Sequence, residues 1–382
     1  MNDKRQTLNN LLVPILSVLM GFLIGAIIML VFNFNPIEGY SAMFKGAFGT
    51  PFYIGETLRQ TAPLIMTALG FALANIAGFF NIGVAGQALL GWTGSVWFAI
   101  SFPSLPSPIL LPLSILAGVL AGALWAGIAG FLRAFFGVSE VIVTIMLNHT
   151  SLYTVNYLIR NVMTDSNDST PRIPEAASLR MEWLTDLTNN STLHAGIFIS
   201  LIMAFLVWVL IKKTTTGYEI RAVGLNPMAS KYAGMSTKRT IIVSMLLSGA
   251  LAGLGGAMEG LGNFQNVFVQ GAVPTLGFDG LAVALLGLSN PIGIIFAALL
   301  FGALKIGGSS MPLAVGVPSE VVDIVIAFII FFVGANYVIR FFLERNKKKT
   351  AGPIEKHDSD KASGTPESLS GTEKADKKED KE

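Results

Sequence analysis

The strongest constraint in this sequence is a series of apolar stretches, each about as long as a membrane-spanning helix. A bilayer core about 30 Å thick needs about 20 apolar helical residues, because lipid offers the backbone no hydrogen-bond partner. The segments that meet this requirement are 11–32, 60–80, 83–101, 109–132, 138–160, 193–211, 240–261, 277–290, 291–309 and 319–342. The sequence therefore predicts an all-α fold, a polytopic membrane helix bundle with about ten transmembrane segments. The short eighth segment is expected to be tilted or re-entrant.

Charge is scarce in the body of the chain and concentrated at its C-terminal end. The 382 residues carry 26 basic and 24 acidic side chains, and 18 of these charges lie in the last 37 residues. A soluble enzyme needs a more charged surface, so residues 1–345 are predicted to form a transmembrane domain. Residues 346–382 are predicted to be a disordered cytoplasmic tail, more a solvated extension than a docking arm. The chain has no cysteine for a disulfide or thiolate site, and its net charge of +2 gives no reason to expect nucleic acid.

Basic residues near the span ends predict the orientation, since Lys and Arg are retained on the cytoplasmic side. With ten crossings and a cytoplasmic N-terminus, Lys4, Arg5, Arg133 and the basic cluster of 212–239 all fall inside. Both termini are then cytoplasmic, and the acidic segment 161–192 is external. The apolar run 11–32 is too long for the core of a signal peptide and is interpreted as the first span.

Polar residues inside predicted spans are the main functional signal, because they usually face a bundle interior or a water path. The segment from Asn75 to Gln87 contains Asn81 and three glycines, and it predicts an irregular hairpin packed within the protein. Asn148 lies in the fifth span. These amides either join neighbouring helices or line the substrate path, and the sequence does not separate the two. Abundant Phe and Met are interpreted as ordinary lipid or helix contacts.

Ionisable residues also occur in the predicted spans. They are Glu140, Glu259, Asp279, Lys305, Glu320 and Asp323. Glu140 and Lys305 lie near span ends and are expected to extend towards the interface. The deeper Asp279 and Asp323 are expected to form a structural ion pair or helix cap rather than to contact substrate. The three histidines form no proton relay, and the sequence has neither a phosphate-binding loop nor a metal-binding motif, so no cofactor or metal is expected.

A polar loop, residues 213–239, predicts a short helix on the cytoplasmic side. Asn226-Pro227 is a favourable helix start and Gly234 a favourable stop. Such a short exposed helix is marginal alone, so it is expected to pack into another protein; an ordinary interspan loop is the alternative.

This loop and the span after it resemble a known family. The run RAVGLNPMA (221–229) and the run SGALAGLGG (248–256) are similar to the coupling loop and following span of bacterial ATP-binding-cassette (ABC) import permeases for branched-chain amino acids, ribose and nucleosides. The runs FNIGVAGQ (80–87), EVIVTIMLN (140–148) and GFDGLAVALLG (277–287) are most similar to the nucleoside branch. Ala85 departs from that branch, where Glu is common. The resemblance covers about residues 10–342.

The resemblance implies a permease subunit of a nucleoside importer in the bacterial cytoplasmic membrane, with no enzyme activity of its own. Its implied partners are a cytoplasmic ABC ATPase, a second and related permease chain, and an extracytoplasmic substrate-binding lipoprotein. The residues expected to couple to the ATPase are Glu219, Arg221, Gly224, Asn226, Ala229 and Gly234. The residues expected along the substrate path are Asn75, Asn81, Gln87 and Asn148. The alternatives are a permease for simple sugars or branched-chain amino acids, or a self-contained secondary carrier.

Overall fold

The computed structural model describes residues 2–334, and apart from two isolated β-bridges its regular structure there is helical. The helices are α1 (Asn2–Val31), α2 (Pro36–Phe48), α3 (Pro51–Ile76), α4 (Val84–Ser101), α5 (Ser107–Phe136), α6 (Glu140–Leu158), α7 (Glu182–Leu187), α8 (Gly196–Lys213), α9 (Thr215–Leu225), α10 (Pro227–Tyr232), α11 (Thr237–Met258), α12 (Leu276–Leu286), α13 (Pro291–Val315) and α14 (Ser319–Gly334). The helices α6 and α11 continue into π-helical turns, Ile159–Met163 and Glu259–Asn263, and a short 3₁₀ turn covers Glu175–Ala177. The prediction of an all-α membrane helix bundle is confirmed, and each predicted span contains a helix. The predicted tail, 346–382, lies outside the described residues.

Helix α11 is the centre of the bundle. Together with α5, α8 and α13 it is long and apolar enough to cross a membrane, and 72% of its most apolar window is buried against 28% for α5. Small residues allow this central position: a Cβ added at Gly253 would collide with the carbonyl oxygen of Gly118 on α5, and one added at Gly256 would collide with the carbonyl oxygen of Ala88 on α4. Close backbone approach of this kind is how membrane helices pack without a hydrophobic driving force.

Two helices differ from the sequence prediction, and a third is short as predicted. Helix α2 was not predicted, because its thirteen residues are too few to register as a span; Asn35 caps it and Pro36 begins it. Helix α3 begins at Pro51, where Thr50 caps it, rather than near residue 60; the charged Glu56 and Arg59, which pair at 2.8 Å, make its first turns too polar to read as a span. Helix α12 has eleven residues, about 16 Å at 1.5 Å per residue, and is too short to cross a bilayer alone.

Helix α3 connects two polar ends of the molecule. Near its start, Glu56 accepts hydrogen bonds from Thr192 of the segment 164–195, here named the cap segment. The cap segment is bonded through its backbone to residues 261–269, for example from Thr170 to Val267 and from Leu179 to Leu261. At the other end of α3, Gly224 of α9 packs against the carbonyl oxygen of Ile76. The 26 residues of α3 separate these ends by about 39 Å.

Candidate functional site

The helical break between α3 and α4 is held by hydrogen bonds of the buried Asn81 side chain. Residues 77–83 are not helical, yet Asn81 is 0% exposed. Its amide nitrogen donates to Gln87 at 3.0 Å and to Ser248 of α11 at 2.8 Å, while its oxygen accepts from the backbone of Gly83 and from Gln87. Broken helices at membrane depth require such partners, because lipid supplies none.

Asn148 completes this arrangement from α6. Its oxygen accepts the backbone N–H of Gly86 at 2.8 Å, and its nitrogen donates to the carbonyl oxygen of Ile82 at 2.9 Å. The first backbone N–H groups of a helix have no partner within the helix, so Asn148 caps α4 from a neighbouring helix. Asn81, Gln87, Asn148 and Ser248 are named the amide cluster.

The four residues predicted to line the path therefore all have protein partners. Asn75, outside the amide cluster, donates to the hydroxyl of Ser289 at 3.0 Å. These contacts agree with the packing alternative for the amides, and their role in the path stays a prediction. Ala85, the departure from the nucleoside branch, packs against Gly277 at the start of α12, which leaves no room there for a longer side chain.

A cavity of about 380 Å³ lies nearer the other end of α3. It is formed by α3, α4, the π turn after α11, the segment 264–276 and α13. The residues that line it are Arg59, Gln60, Ala88, Leu89, Trp92, Gly256, Glu259, Phe264, Phe268, Gln270, Pro274, Thr275, Leu276 and Lys305. Its volume and its mixture of aromatic walls and a few polar groups are typical of a small-molecule site. It is named the aromatic cavity.

Three aromatic rings give the aromatic cavity its flat wall. Trp92 stacks on Phe264 with 5.0 Å between ring centroids and 16° between planes, and Phe268 meets both rings edge-on at 5.4 Å. The Trp92 indole donates to the carbonyl oxygen of Asn266 at 2.7 Å, which fixes the ring. Phe264 is 50% exposed, so an aromatic face remains accessible. A planar ligand can stack on such a wall.

The charged groups of the aromatic cavity are mostly paired. Arg59 pairs with Glu56 on its own helix. Lys305 pairs with Asp279 of α12, which is the structural ion pair predicted for Asp279. The expectation that Lys305 lies near a span end is wrong, because α13 extends to Val315 and places Lys305 within the bundle. Glu259 is 7% exposed and accepts a hydrogen bond from Asn263 at 2.9 Å.

The remaining ionisable residues have structural or surface positions. Glu140 begins α6 and pairs with Arg133 at 3.3 Å, near a helix end as expected. Glu320 and Asp323 are exposed on α14, and within residues 2–334 neither has an ion-pair partner. The expectation that Asp323 lies deep and forms a structural ion pair or helix cap is therefore wrong for the described residues. A second cavity of about 490 Å³ is lined by Asn148 together with His149 and Tyr153.

The α9–α10 segment has the helix that the sequence predicts. Asn226 caps α10 by accepting from Met228 and Ala229, both at 3.0 Å, and Gly234 ends it with a φ of +84°. Helix α9, which was not predicted, buries Ile220 and packs Gly224 against α3.

The other residues predicted to couple lie on the same segment, and its apolar tip is open. Glu219 and Arg221 are half-buried on α9, while Ala229 is exposed on α10. Leu225, Met228 and Tyr232 are 87%, 71% and 94% exposed, which is a surface suited to another protein.

The cap segment holds a neutral histidine. His194 is 0% exposed; its Nδ1 accepts the backbone N–H of Gly196 at 3.1 Å, and its Nε2 lies 3.1 Å from the amide oxygen of Asn263. Burial, as the largest cause, and the charges of nearby arginines together lower the pKa of His194 to about 4. The neutral imidazole therefore donates from Nε2 to Asn263.

A helical membrane bundle with an internal aromatic cavity belongs to the class of membrane transport proteins. Residues 53–334 match the family model described as "Branched-chain amino acid transport system / permease component". This match covers well over half of the chain, and the protein belongs to this permease family.

Curated relatives agree with the family. The chain is 52% identical over 344 residues to the guanosine ABC transporter permease protein NupP of Bacillus subtilis, covering 90% of this chain and 99% of the relative. It is 47% identical over 368 residues to the nucleoside ABC transporter permease protein NupB of Lactococcus lactis, covering 95% and 100%. It is 36% identical over 329 residues to the glucose ABC transporter permease protein TsgB13 of Haloferax volcanii, covering 84% and 86%.

Proposed function

We propose that this chain is the permease subunit of an ABC importer that carries nucleosides across the bacterial cytoplasmic membrane. The observation that carries the proposal is the aromatic cavity, whose stacked Trp92 and Phe264 suit a nucleobase and whose polar rim suits a ribose. Its volume of about 380 Å³ is sufficient for one nucleoside. The printed names of NupP and NupB support the same substrate class.

The chain itself forms the transport pathway, and a partner subunit supplies the energy. Its proposed partners are a cytoplasmic ABC ATPase, a second and related permease chain, and an extracytoplasmic substrate-binding lipoprotein. We place the α9–α10 segment on the cytoplasmic side and the cap segment outside, as the distribution of basic residues favours. The enzymatic step, ATP hydrolysis, belongs to the partner.

Coupling passes through the exposed apolar tip of the α9–α10 segment and through the contact of α9 with α3. The ATPase receives Leu225, Met228 and Tyr232, and Gly224 transmits its movement to Ile76, where the helical break begins. The amide cluster keeps this break rigid, so that α3 and α4 reorient as a unit. Substrate in the aromatic cavity then becomes accessible from the inner side.

Uptake assays test the function directly. Cells that lack this chain are expected to lose accumulation of radiolabelled guanosine and to regain it when the chain is restored, while ribose, glucose and leucine uptake stays unchanged. Restoration of glucose uptake instead would favour the sugar alternative. Robust accumulation by the purified chain alone in vesicles with an ion gradient would contradict the importer model and favour a secondary carrier.

Variants of the α9–α10 segment test the coupling. Met228→Glu and Arg221→Glu are expected to abolish uptake at an unchanged amount of protein in the membrane, while the conservative Met228→Leu retains it. Gly234→Pro is expected to do the same, because proline cannot adopt the φ of +84° at that position. Normal uptake by Met228→Glu would remove α10 from the coupling path.

A further inference from the structure

One carboxylate in the aromatic cavity lacks the ion-pair partner that its neighbours have. Glu259 lies in the π turn after α11, is 7% exposed, and lines the cavity. Its Oε2 accepts the amide N–H of Asn263 at 2.9 Å, and no group among residues 2–334 donates to its Oε1. A buried carboxylate in a membrane span is costly, so this one calls for a function.

The nearby cations do not neutralise Glu259. Arg59 is bound to Glu56, and Lys305 is bound to Asp279, so each basic group of the aromatic cavity already has its own carboxylate. A ligand with a hydrogen-bond donor can bind to Oε1, which has no protein donor among residues 2–334.

A chain of directed hydrogen bonds fixes the orientation of this carboxylate. Because Nδ1 of His194 accepts from Gly196, its Nε2 donates to the Asn263 oxygen, and the Asn263 nitrogen donates to Oε2 of Glu259. Arg180 also donates to the carbonyl oxygens of Gly262 and Asn263. The side chain is therefore preorganised, with Oε2 occupied and Oε1 available.

We propose that Glu259 is a specificity-determining residue that accepts a hydrogen bond from a ribose hydroxyl, so that the cavity selects ribonucleosides over deoxyribonucleosides. This inference rests on the proposed function. A single hydroxyl needs one acceptor oxygen, which Glu259 offers. A guanine edge would place its two N–H groups on both carboxylate oxygens, and Oε2 would then have to accept from Asn263 and from the base together, whereas a hydroxyl uses Oε1 alone. The nucleobase stacks on Phe264, which directly follows the π turn that contains Glu259.

The test compares uptake of tritiated guanosine, 2′-deoxyguanosine and inosine in cells that carry the complete transporter. The wild-type chain is expected to prefer guanosine to 2′-deoxyguanosine by about tenfold, the effect of one well-formed hydrogen bond. Glu259→Gln is expected to reduce this ratio to about twofold by slowing guanosine uptake. Inosine, which lacks the exocyclic amine, is expected to behave like guanosine in both chains. Since both strains share one receptor protein, a change in ratio belongs to the permease.

The possible outcomes distinguish a failure of the Glu259 assignment from a failure of the proposed function. If wild-type cells take up no nucleoside, the proposed function fails. If they take up guanosine and Glu259→Gln leaves the ratio unchanged, or if inosine rather than 2′-deoxyguanosine is rejected, the ribose assignment is wrong and the function stands. Rates are expressed per amount of folded protein. Glu259→Asp, which keeps the charge but withdraws it by one methylene, is the second variant and is expected to lose the same selectivity.

Discussion

The amide cluster, which reaches α3 at Gly70 through Ser248, and the aromatic cavity, which includes Arg59 of α3, treat polar groups in opposite ways. In the amide cluster, Asn81 and Asn148 have protein partners for both donor and acceptor atoms. In the aromatic cavity, Glu259 keeps an oxygen without a protein donor among residues 2–334, and half of the Phe264 surface is open. Polar residues at membrane depth therefore divide into those that hold a broken helix together and those left available to a solute.

The largest effect is expected from removing an amide of the cluster. Asn148→Leu keeps the branched shape but leaves the N–H of Gly86 and the carbonyl of Ile82 without partners, at about 1–3 kcal/mol for each group. That is a large fraction of the marginal stability of a folded protein. We expect little folded chain by size-exclusion chromatography in detergent.

The matched control is Thr150→Leu, on the exposed face of the same helix, where the hydroxyl bonds only to the carbonyl oxygen of Met146. It is expected to leave the folded amount unchanged. If Asn148→Leu instead gives normal amounts of folded chain with altered substrate preference, Asn148 belongs to the substrate path and the division proposed above is wrong.

The next effect concerns transport without loss of folding. Phe264→Ala removes a half-exposed ring together with its contacts to Trp92 and Phe268, and stacking on a base contributes about 1–3 kcal/mol. Initial rates of guanosine uptake are expected to fall about tenfold or more at limiting substrate. Phe205→Ala, which truncates a 60% exposed ring on α8, serves as the control and should transport normally. Equal losses in both variants would argue against a stacking wall at Phe264.

A smaller effect is expected at the ion pair beside the aromatic cavity. Lys305→Met alone leaves the Asp279 carboxylate unpaired in a largely buried position, and we expect the melting temperature in detergent to fall by about 5 °C. The double variant Asp279→Leu, Lys305→Met removes both charges and is expected to recover most of this loss. If the two single effects simply add in the double variant, Asp279 and Lys305 do not act as a pair.

The contrast between the amide cluster and the aromatic cavity also explains which features can be predicted from the sequence. The break between α3 and α4 was predictable because Asn81, its glycines and Gln87 are contiguous, and the α10 caps were predictable because Asn226 and Gly234 are local signals. Hydropathy likewise predicted the membrane bundle.

The aromatic cavity was not predictable in this way. Its residues come from five segments, and Trp92 and Phe264 each resemble an ordinary lipid-facing aromatic until the fold brings them together. Glu259 was a candidate ionisable residue, but only the structure shows that Arg59 and Lys305 are already paired. Side-chain partners across helices depend on packing, which local sequence patterns do not encode.

The smallest effect is expected from pH, through the histidine that orients the Glu259 carboxylate. With the pKa of His194 lowered from 6.5 to about 4, the unfolded chain binds a proton below pH 6.5 that the folded chain does not. Stability is therefore independent of His194 above pH 6.5 and falls as the pH decreases towards 4, by about 1.4 kcal/mol at pH 5.5. Melting temperatures measured between pH 7.5 and 5 should decrease less steeply for His194→Gln than for the wild-type chain. Parallel curves for the two chains would mean that folding does not lower the pKa of His194, which would contradict its burial between Gly196 and Asn263.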